Sequence, residues 1–432
     1  MTTQKYIGPE KILAKKKQYI MPCLGHFYQK PRQFVRGNMQ YLYDHTGKAY
    51  LDLFAGVSVM NCGHANPEIL QAMITQMQNL QHVCNIYLTE NFVNLAEQLA
   101  QVTPGELQKS FFCSTGSEAN EGALLLATLA TGSTEYLALE GGLTGRTKLG
   151  MSMTGISMWR TDPNPVGGIN FCPEPYCYRC PLGKKPDTCD LACADRIEKI
   201  IQTATSGHPA ALLAEPIQGN AGIIVPPKKY FQRVQSILKA HNSLLIIDEV
   251  QTGFARTGKM FAIENFDTAP DIMTVAKALG NGQPISAFIA RAEIADTYTK
   301  PGASTLGGNP VSSSAGLAVL SYIKKKNLIA HAAEMGKILK EGLYRLQEKH
   351  PVIGDVRGLG LMVGTELVHP DKSPAPEIVD AILEDMLNRG FIIGKNGLGR
   401  NVLAFQPPLV VTKKNIEDTL NALDLSLQNQ NL

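Results

Sequence analysis

Leu244-Leu245-Ile246-Ile247-Asp248-Glu249-Val250-Gln251-Thr252-Gly253 sets four aliphatic residues in a row and then, without a break, two carboxylates. Four consecutive apolar side chains leave no face for water, so the run is expected as a strand covered on both sides, as in parallel sheets. A carboxylate at the C-terminal end of such a strand faces the crevice where α/β sheets bind ligands. Asp248 is the candidate for that place, with a helix- or turn-capping aspartate as its plainer reading.

Similar short apolar runs recur on either side, at Lys109-Ser110-Phe111-Phe112-Cys113, Tyr136-Leu137-Ala138-Leu139, Ala210-Ala211-Leu212-Leu213-Ala214 and Ile272-Met273-Thr274-Val275. Stretches of helical periodicity separate them, which implies an α/β fold with a mainly parallel central sheet flanked by helices. Upstream, two apolar runs flank Asp44-His45-Thr46-Gly47 and predict a hairpin. Downstream of Pro310 the chain turns helical over 315–347. Glycine-punctuated strands then follow at 354–366, 390–394 and 402–405, before a last amphipathic helix. The expected organisation is 1–55 as an N-terminal contribution to a small α+β domain, 56–312 as the large domain, and 313–432 as the rest of the small one.

Composition narrows the class. With 432 residues, two cores are affordable, and 44% apolar with 18% charged residues is ordinary for a soluble globular chain. A net charge of +3 offers no electrostatic case for nucleic acid or a membrane surface as partner. The N-terminal stretch MTTQKYIGPEKILAKKKQY has no hydrophobic segment of a secretory signal, so the cytoplasm is the expected compartment.

Two further motifs carry chemistry. Phe112-Cys113-Ser114-Thr115-Gly116-Ser117-Glu118 looks like strand, loop and helix start. Free backbone N–H groups there, with the Ser117 hydroxyl beside them, suit a phosphate dianion; an ordinary N-cap is the alternative. Val275-Ala276-Lys277-Ala278-Leu279-Gly280 buries one lysine in an apolar setting. Burial favours the neutral amine that condenses with an aldehyde, whereas most single lysines are solvated surface charges.

Phosphate loop, strand-end aspartate and buried lysine follow one another in the order and spacing of the class III (ω-amino) aminotransferases. The chain resembles that family over nearly its whole length, through Gly63-His64-Ala65-Asn66-Pro67, Gly116-Ser117-Glu118-Ala119-Asn120, Glu215-Pro216-Ile217-Gln218-Gly219 and Thr305-Leu306-Gly307-Gly308-Asn309-Pro310. The resemblance implies a fold type I enzyme with pyridoxal 5'-phosphate as cofactor. By motif position it implies that Lys277 forms the Schiff base and moves the proton, that Asp248 pairs with the pyridine nitrogen, and that Gln251 reaches the ring hydroxyl beside Val250. Gly116 and Ser117 would hold the phosphate, and Thr305 the phosphate of a neighbouring subunit, so a homodimer with shared sites is expected. Glu215 would line the substrate pocket or pair with an arginine such as Arg256.

Two departures shape the expected reaction. Where the family carries an aromatic residue followed by His-Gly-Arg-Thr, this chain has Leu143-Thr144-Gly145-Arg146-Thr147. Leu143 and Thr144 can cover the cofactor but give no aromatic stacking. Arg146 remains to meet a substrate anion. In Asn401-Val402-Leu403-Ala404, alanine stands where transaminating relatives place an arginine for a carboxylate, and Arg400 is the nearest substitute. A weakened keto-acid half-reaction points to a lyase releasing ammonia from a small anionic primary amine, similar to the family's aminophosphonate and ethanolamine-phosphate lyases. An aminotransferase using pyruvate, glyoxylate or 2-oxoglutarate is the alternative, and a non-catalytic cofactor-binding paralogue the third reading. Lys148, Lys30, Arg32 and Arg36 are further candidates for an anion partner.

Five of the nine cysteines crowd into 172–193. Cys177, Cys180, Cys189 and Cys193 have a spacing that could supply four thiolates to zinc; a compact loop of reduced thiols is the alternative, and no metal is expected elsewhere.

Overall fold

The computed structural model describes residues 6–430. A seven-stranded sheet runs in spatial order Leu107–Cys113, Ser286–Arg291, Ile272–Val275, Leu244–Asp248, Ala211–Ala214, Tyr136–Leu139, Ile169–Cys172. Ser286–Arg291 is antiparallel to both its neighbours, and the remaining pairs are parallel. Ala211–Ala214, Tyr136–Leu139 and Ile272–Val275 are buried along their whole length, as the continuous apolar runs require. Each Leu or Ile sealed in these strands stabilises the fold by about 1.5–3 kcal/mol.

Helices cover the sheet, and several begin on caps legible in the sequence. The Thr115 side chain and Glu118 form a capping box at the start of Gly116–Thr131. Asn66 caps Pro67–Asn79, and Thr412 with Asn415 caps Lys413–Gln428. The small α+β domain draws on both ends of the chain. Ile353–Leu359, Met362–Leu367, Val402–Phe405 and Gly394–Asn396 form an antiparallel sheet. The hairpin Tyr41–Asp44 with Ala49–Asp52 joins Phe34–Asn38, and Phe391–Ile392 adds in parallel to Ala49–Asp52, stitching the N-terminal segment to the C-terminal part. Residues 1–5 and 431–432, at the extremes of the two terminal segments, lie outside the described residues.

The topology decides where a site can be. The C-terminal ends of Leu107–Cys113, Tyr136–Leu139, Ala211–Ala214, Leu244–Asp248 and Ile272–Val275 share one edge of the sheet, and antiparallel Ser286–Arg291 begins there. Whatever follows those strand ends converges in space.

Candidate active site

A cavity of about 370 Å³ lies along that edge. Its lining follows from the strand ends: Ser114–Ser117, Leu143–Arg146, Glu215, Asp248 with Val250 and Gln251, and Lys277. Gln283, Pro284 and Ile285, just before the antiparallel strand, and Trp159 complete much of the wall.

Asp248 is 4% exposed. One carboxylate oxygen accepts from the Asn120 side chain at 2.6 Å, the other from the Val250 N–H at 2.9 Å. Asn120 is itself held, accepting from Thr274 Oγ1 at 2.6 Å and donating to the Thr144 carbonyl at 2.7 Å. Burial raises the Asp248 pKa, while Asn120, the Val250 N–H and the Lys277 charge oppose it.

Lys277 stands just beyond strand Ile272–Val275 in a left-handed backbone conformation, φ 43°. Such a conformation costs a non-glycine residue on the order of 1–3 kcal/mol and persists only where the surroundings impose it. The short turn Lys277–Leu279 is closed by Leu279 N–H to Ala276 O and Gly280 N–H to Lys277 O. A side chain at Gly280 would run into the Gln283 carbonyl. Burial lowers the Lys277 pKa, with Asp248 and Glu215 pulling the other way. Among the described residues its ammonium makes no hydrogen bond or ion pair, so the amine is free for chemistry.

Glu215 is buried with both oxygens engaged, by the Leu143 N–H at 2.9 Å and the Gly219 N–H at 3.0 Å. Burial, with the Asp248 charge next, pushes its pKa up to about 7. Pairing with Arg256 does not occur. Arg256, fully buried, donates instead to the Leu361 and Pro407 carbonyls and to Asn61, fastening the large domain to the small one. Burial drops its pKa to about 9.

At the other end, the first turn of Gly116–Thr131 opens on the cavity. Ser117 Oγ accepts from the Arg146 backbone N–H at 2.9 Å, which brings the two loops together. A Cβ on Gly116 would come within 2.9 Å of Val250 Cγ1, so only glycine lets this turn approach the Asp248 strand end. These features fit pyridoxal 5'-phosphate: an anion cradle at a helix N-terminus, an anchored carboxylate, and a partly buried lysine without a partner among the described residues, all within one cavity. Gln251 also lines the cavity and donates to Gln406 Oε1 at 3.3 Å.

Several expected residues lie elsewhere. Arg400 is not on the cavity wall; it stacks over Phe27 and donates to the Lys395 carbonyl at 3.2 Å. Lys148 spends its charge on Asp162 at 2.8 Å and on the Asn164 carbonyl. Arg36 stacks over Tyr43, and Arg32 donates to Asn388 at 2.8 Å. Thr305 is exposed and absent from the lining of its own chain's cavity. Cys177, Cys180, Cys189 and Cys193 line one small separate cavity as free thiols. Among the described residues no group of three or more His, Cys, Asp or Glu is arranged to hold a metal ion. Burial raises the Cys177 and Cys193 pKa, favouring thiols over thiolates. The loop is held by other means: Tyr176 and Arg179 both bond to Glu366, which also pairs with Arg357 at 2.8 Å. Trp159 was not singled out by any sequence motif, although its being the chain's one tryptophan was the available signal.

The geometry agrees with the family assignment. The model of the aminotransferase class-III family matches residues 27–427, and the chain belongs to that family of pyridoxal-phosphate enzymes. It is 40% identical over 432 residues to the mitochondrial alanine–glyoxylate aminotransferase 2 homolog 2 of Arabidopsis thaliana, covering 99% of this chain and 89% of the relative. Among solved structures it is similar to a Bacillus anthracis aminotransferase, with TM-score 0.91, 31% identity and 97% and 98% of the two chains covered. It is also similar to an Arthrobacter phospholyase in complex with phosphoethanolamine, with TM-score 0.89, 31% identity and 96% and 99% covered.

Proposed function

We propose that the enzyme is an aminotransferase that moves the amino group of a small anionic amine to a short monocarboxylate keto acid such as pyruvate or glyoxylate. The observation that carries this is Arg146: it is the one arginine on the cavity wall, it is exposed, and among the described residues its guanidinium has no ion pair or hydrogen bond. One fork serves one carboxylate. Among the described residues of one chain no second arginine lines the cavity, so the reading favours an acceptor with one carboxylate over 2-oxoglutarate, whose two carboxylates need two anchors. The plant relative's name, an alanine–glyoxylate aminotransferase homolog, supports the same class of acceptor.

Pyridoxal phosphate, when bound, supplies a sink for the electron pair left when the amine-bearing carbon loses its proton. The chain's own residues do the rest. Gly116 and Ser117 would hold the phosphate. Asp248, oriented by Asn120 and the Val250 N–H, would keep a proton on the pyridine nitrogen, and Gln251 would meet the ring oxygen. Leu143 would cover the ring face with an aliphatic side chain. The Lys277 amine, its proton affinity lowered by burial, takes the proton from the substrate carbon and returns it to another position. Glu215 fixes the 143 and 219 loops around it.

Elimination is the second reading, and a specific observation favours it. Ala404 is fully buried against Ile217, Ile223 and Met362, so its strand sends no cation toward substrate. The similarity to a phospholyase belongs with it. A screen of short amino acids and amine phosphates, with and without keto acid, decides. Turnover that requires pyruvate or glyoxylate, with 2-oxoglutarate at least about tenfold poorer, is expected from one missing charged bond. Stoichiometric ammonia release without keto acid would reject transamination in favour of the lyase.

A homodimer belongs to the same proposal: Thr305 and Leu306 are exposed in the single chain, as are Ile86, Tyr87 and Leu88, and Thr305 would serve the partner's phosphate site. Light scattering giving the mass of one chain would remove it. No helix among the described residues is long and apolar enough to cross a membrane. A cytoplasmic location is likewise proposed, and fractionation would test it.

A further inference from the structure

Asp248 and Thr274 are register partners on neighbouring parallel strands, so their side chains rise from the same face of the sheet. Helix Gly116–Thr131 packs on that face, and its Asn120 reaches both of them. Asn120 and Thr274 are buried, and neither is on the cavity wall. In the sequence Thr274 reads only as one member of a short strand run.

The orientation of the Asn120 amide follows from its partners. The Thr144 carbonyl, 2.7 Å away, is an acceptor only, so the atom facing it is the amide nitrogen. The same nitrogen gives its second hydrogen to the Asp248 carboxylate at 2.6 Å. The amide oxygen is thereby turned toward Thr274 Oγ1, also at 2.6 Å, and there the hydroxyl must donate. Both amide hydrogens are then spent, and the amide oxygen has its donor.

In a chain of hydroxyl, amide and carboxylate, each bond polarises the next, so the Thr274 hydroxyl strengthens the donor that Asp248 receives. Without that hydroxyl the amide oxygen would be a buried acceptor with no donor. Turning the amide over would set its oxygen against the carboxylate and against the Thr144 carbonyl. Either way the bond that keeps Asp248 ionised and aimed is weakened.

We propose that Thr274 is a positioning residue for the cofactor: through Asn120, its hydroxyl fixes the Asp248 carboxylate in the orientation that receives the pyridine nitrogen of pyridoxal 5'-phosphate. This rests on reading Asp248 as the partner of that nitrogen. The same amide holds the Thr144 carbonyl, so one hydroxyl also helps to set the loop that carries Leu143 and Arg146.

Thr274→Val keeps the branched shape of the side chain and removes the hydroxyl, whereas Thr274→Ser keeps the hydroxyl. Each holoenzyme is stripped of cofactor and titrated with pyridoxal 5'-phosphate, and the visible absorbance of the lysine-bound form gives a dissociation constant. The valine variant is expected to bind about tenfold more weakly, and the serine variant to stay within about twofold of wild type. Repeating the valine substitution in an Asp248→Asn background separates positioning from packing. The carboxylate is gone there, so Thr274→Val should change the dissociation constant by less than about twofold.

Equal dissociation constants in wild type and Thr274→Val would overturn the proposal. A serine variant as weak as the valine variant would do the same, as would a tenfold loss that persists beside Asp248→Asn, since each marks a packing defect. Failure of the underlying reading looks different. In that case Asp248→Asn alone binds the cofactor as tightly as wild type, whatever stands at position 274.

Discussion

The floor of the cavity and its mouth are built on opposite principles. On the floor nearly every polar atom is claimed: Asp248 by Asn120 and Val250, Asn120 by Thr274 and Thr144, Glu215 by Leu143 and Gly219. The exception is the Lys277 amine, and burial makes that amine easier to deprotonate. At the mouth the Arg146 guanidinium is exposed and, among the described residues, left without a partner. A floor whose groups are already oriented needs no reorganisation when charge moves, which is the usual source of electrostatic catalysis. A mouth with open donors holds its energy for the ligand, which is how a site selects one. The two halves are thus expected to fail in different ways when altered.

The largest effect is expected on the floor. Lys277→Ala removes the nucleophile and the proton carrier together, and turnover should fall on the order of 10⁴-fold or more. The circular dichroism spectrum should be unchanged, because the side chain makes no hydrogen bond or ion pair among the described residues and the backbone bond from Gly280 is kept. Visible absorbance of lysine-bound cofactor should vanish; residual turnover near the wild-type level would show that the floor has been misassigned.

An intermediate effect belongs to the mouth. Arg146→Lys keeps the charge and loses the planar fork, so KM for an anionic amine should rise about ten- to a hundredfold with kcat changing far less. If kcat fell and KM stayed, Arg146 would be acting on the reacting atoms, and the division between the halves would break.

The smallest effect sharpens what the floor costs. The Glu215 carboxyl lies at about 7 in the folded protein, against 4.5 for an unburied glutamate. Between those values the folded state holds a proton that the unfolded chain has released, so the residue's contribution to stability falls as pH rises from about 4.5 to about 7. Glu215→Gln removes that dependence. Its thermal midpoint should exceed the wild type's at pH 8, by the equivalent of about 1–3 kcal/mol, with the gap closing near pH 5. Equal midpoints at both pH values would mean that the carboxylate is not charged at a cost.

The fold was largely legible because its central strands are covered on both faces, and such strands need uninterrupted apolar runs. Runs at 109–113, 136–139, 210–214, 244–247 and 272–275 all proved to be strands of the central sheet. Two strands of that sheet were missed. Ser286–Arg291 follows a glycine- and proline-bearing stretch and runs antiparallel, and Ile169–Cys172 at the sheet edge is only partly buried. The lysine, the aspartate and the phosphate loop were legible for the same reason as the strands, since each sits at a strand end. The elimination chemistry read from Ala404 fared less well, as the relatives are better represented by transamination. Ala404 itself packs inside an apolar cluster with Ile217, Ile223 and Met362 and is not part of the cavity lining.

By itself, the sequence determined which side chains would stand at the C-terminal edge of the sheet, because local periodicity places each strand and its last residue. Only the tertiary structure decided what each cation would meet. Arg256 finds carbonyls of the small domain, Arg400 an aromatic face, Lys148 an aspartate, and Arg146 nothing within the described chain. A cation's partner depends on which distant loops the fold brings beside it. No spacing along the chain encodes that, and Trp159 came to the mouth of the cavity by the same route.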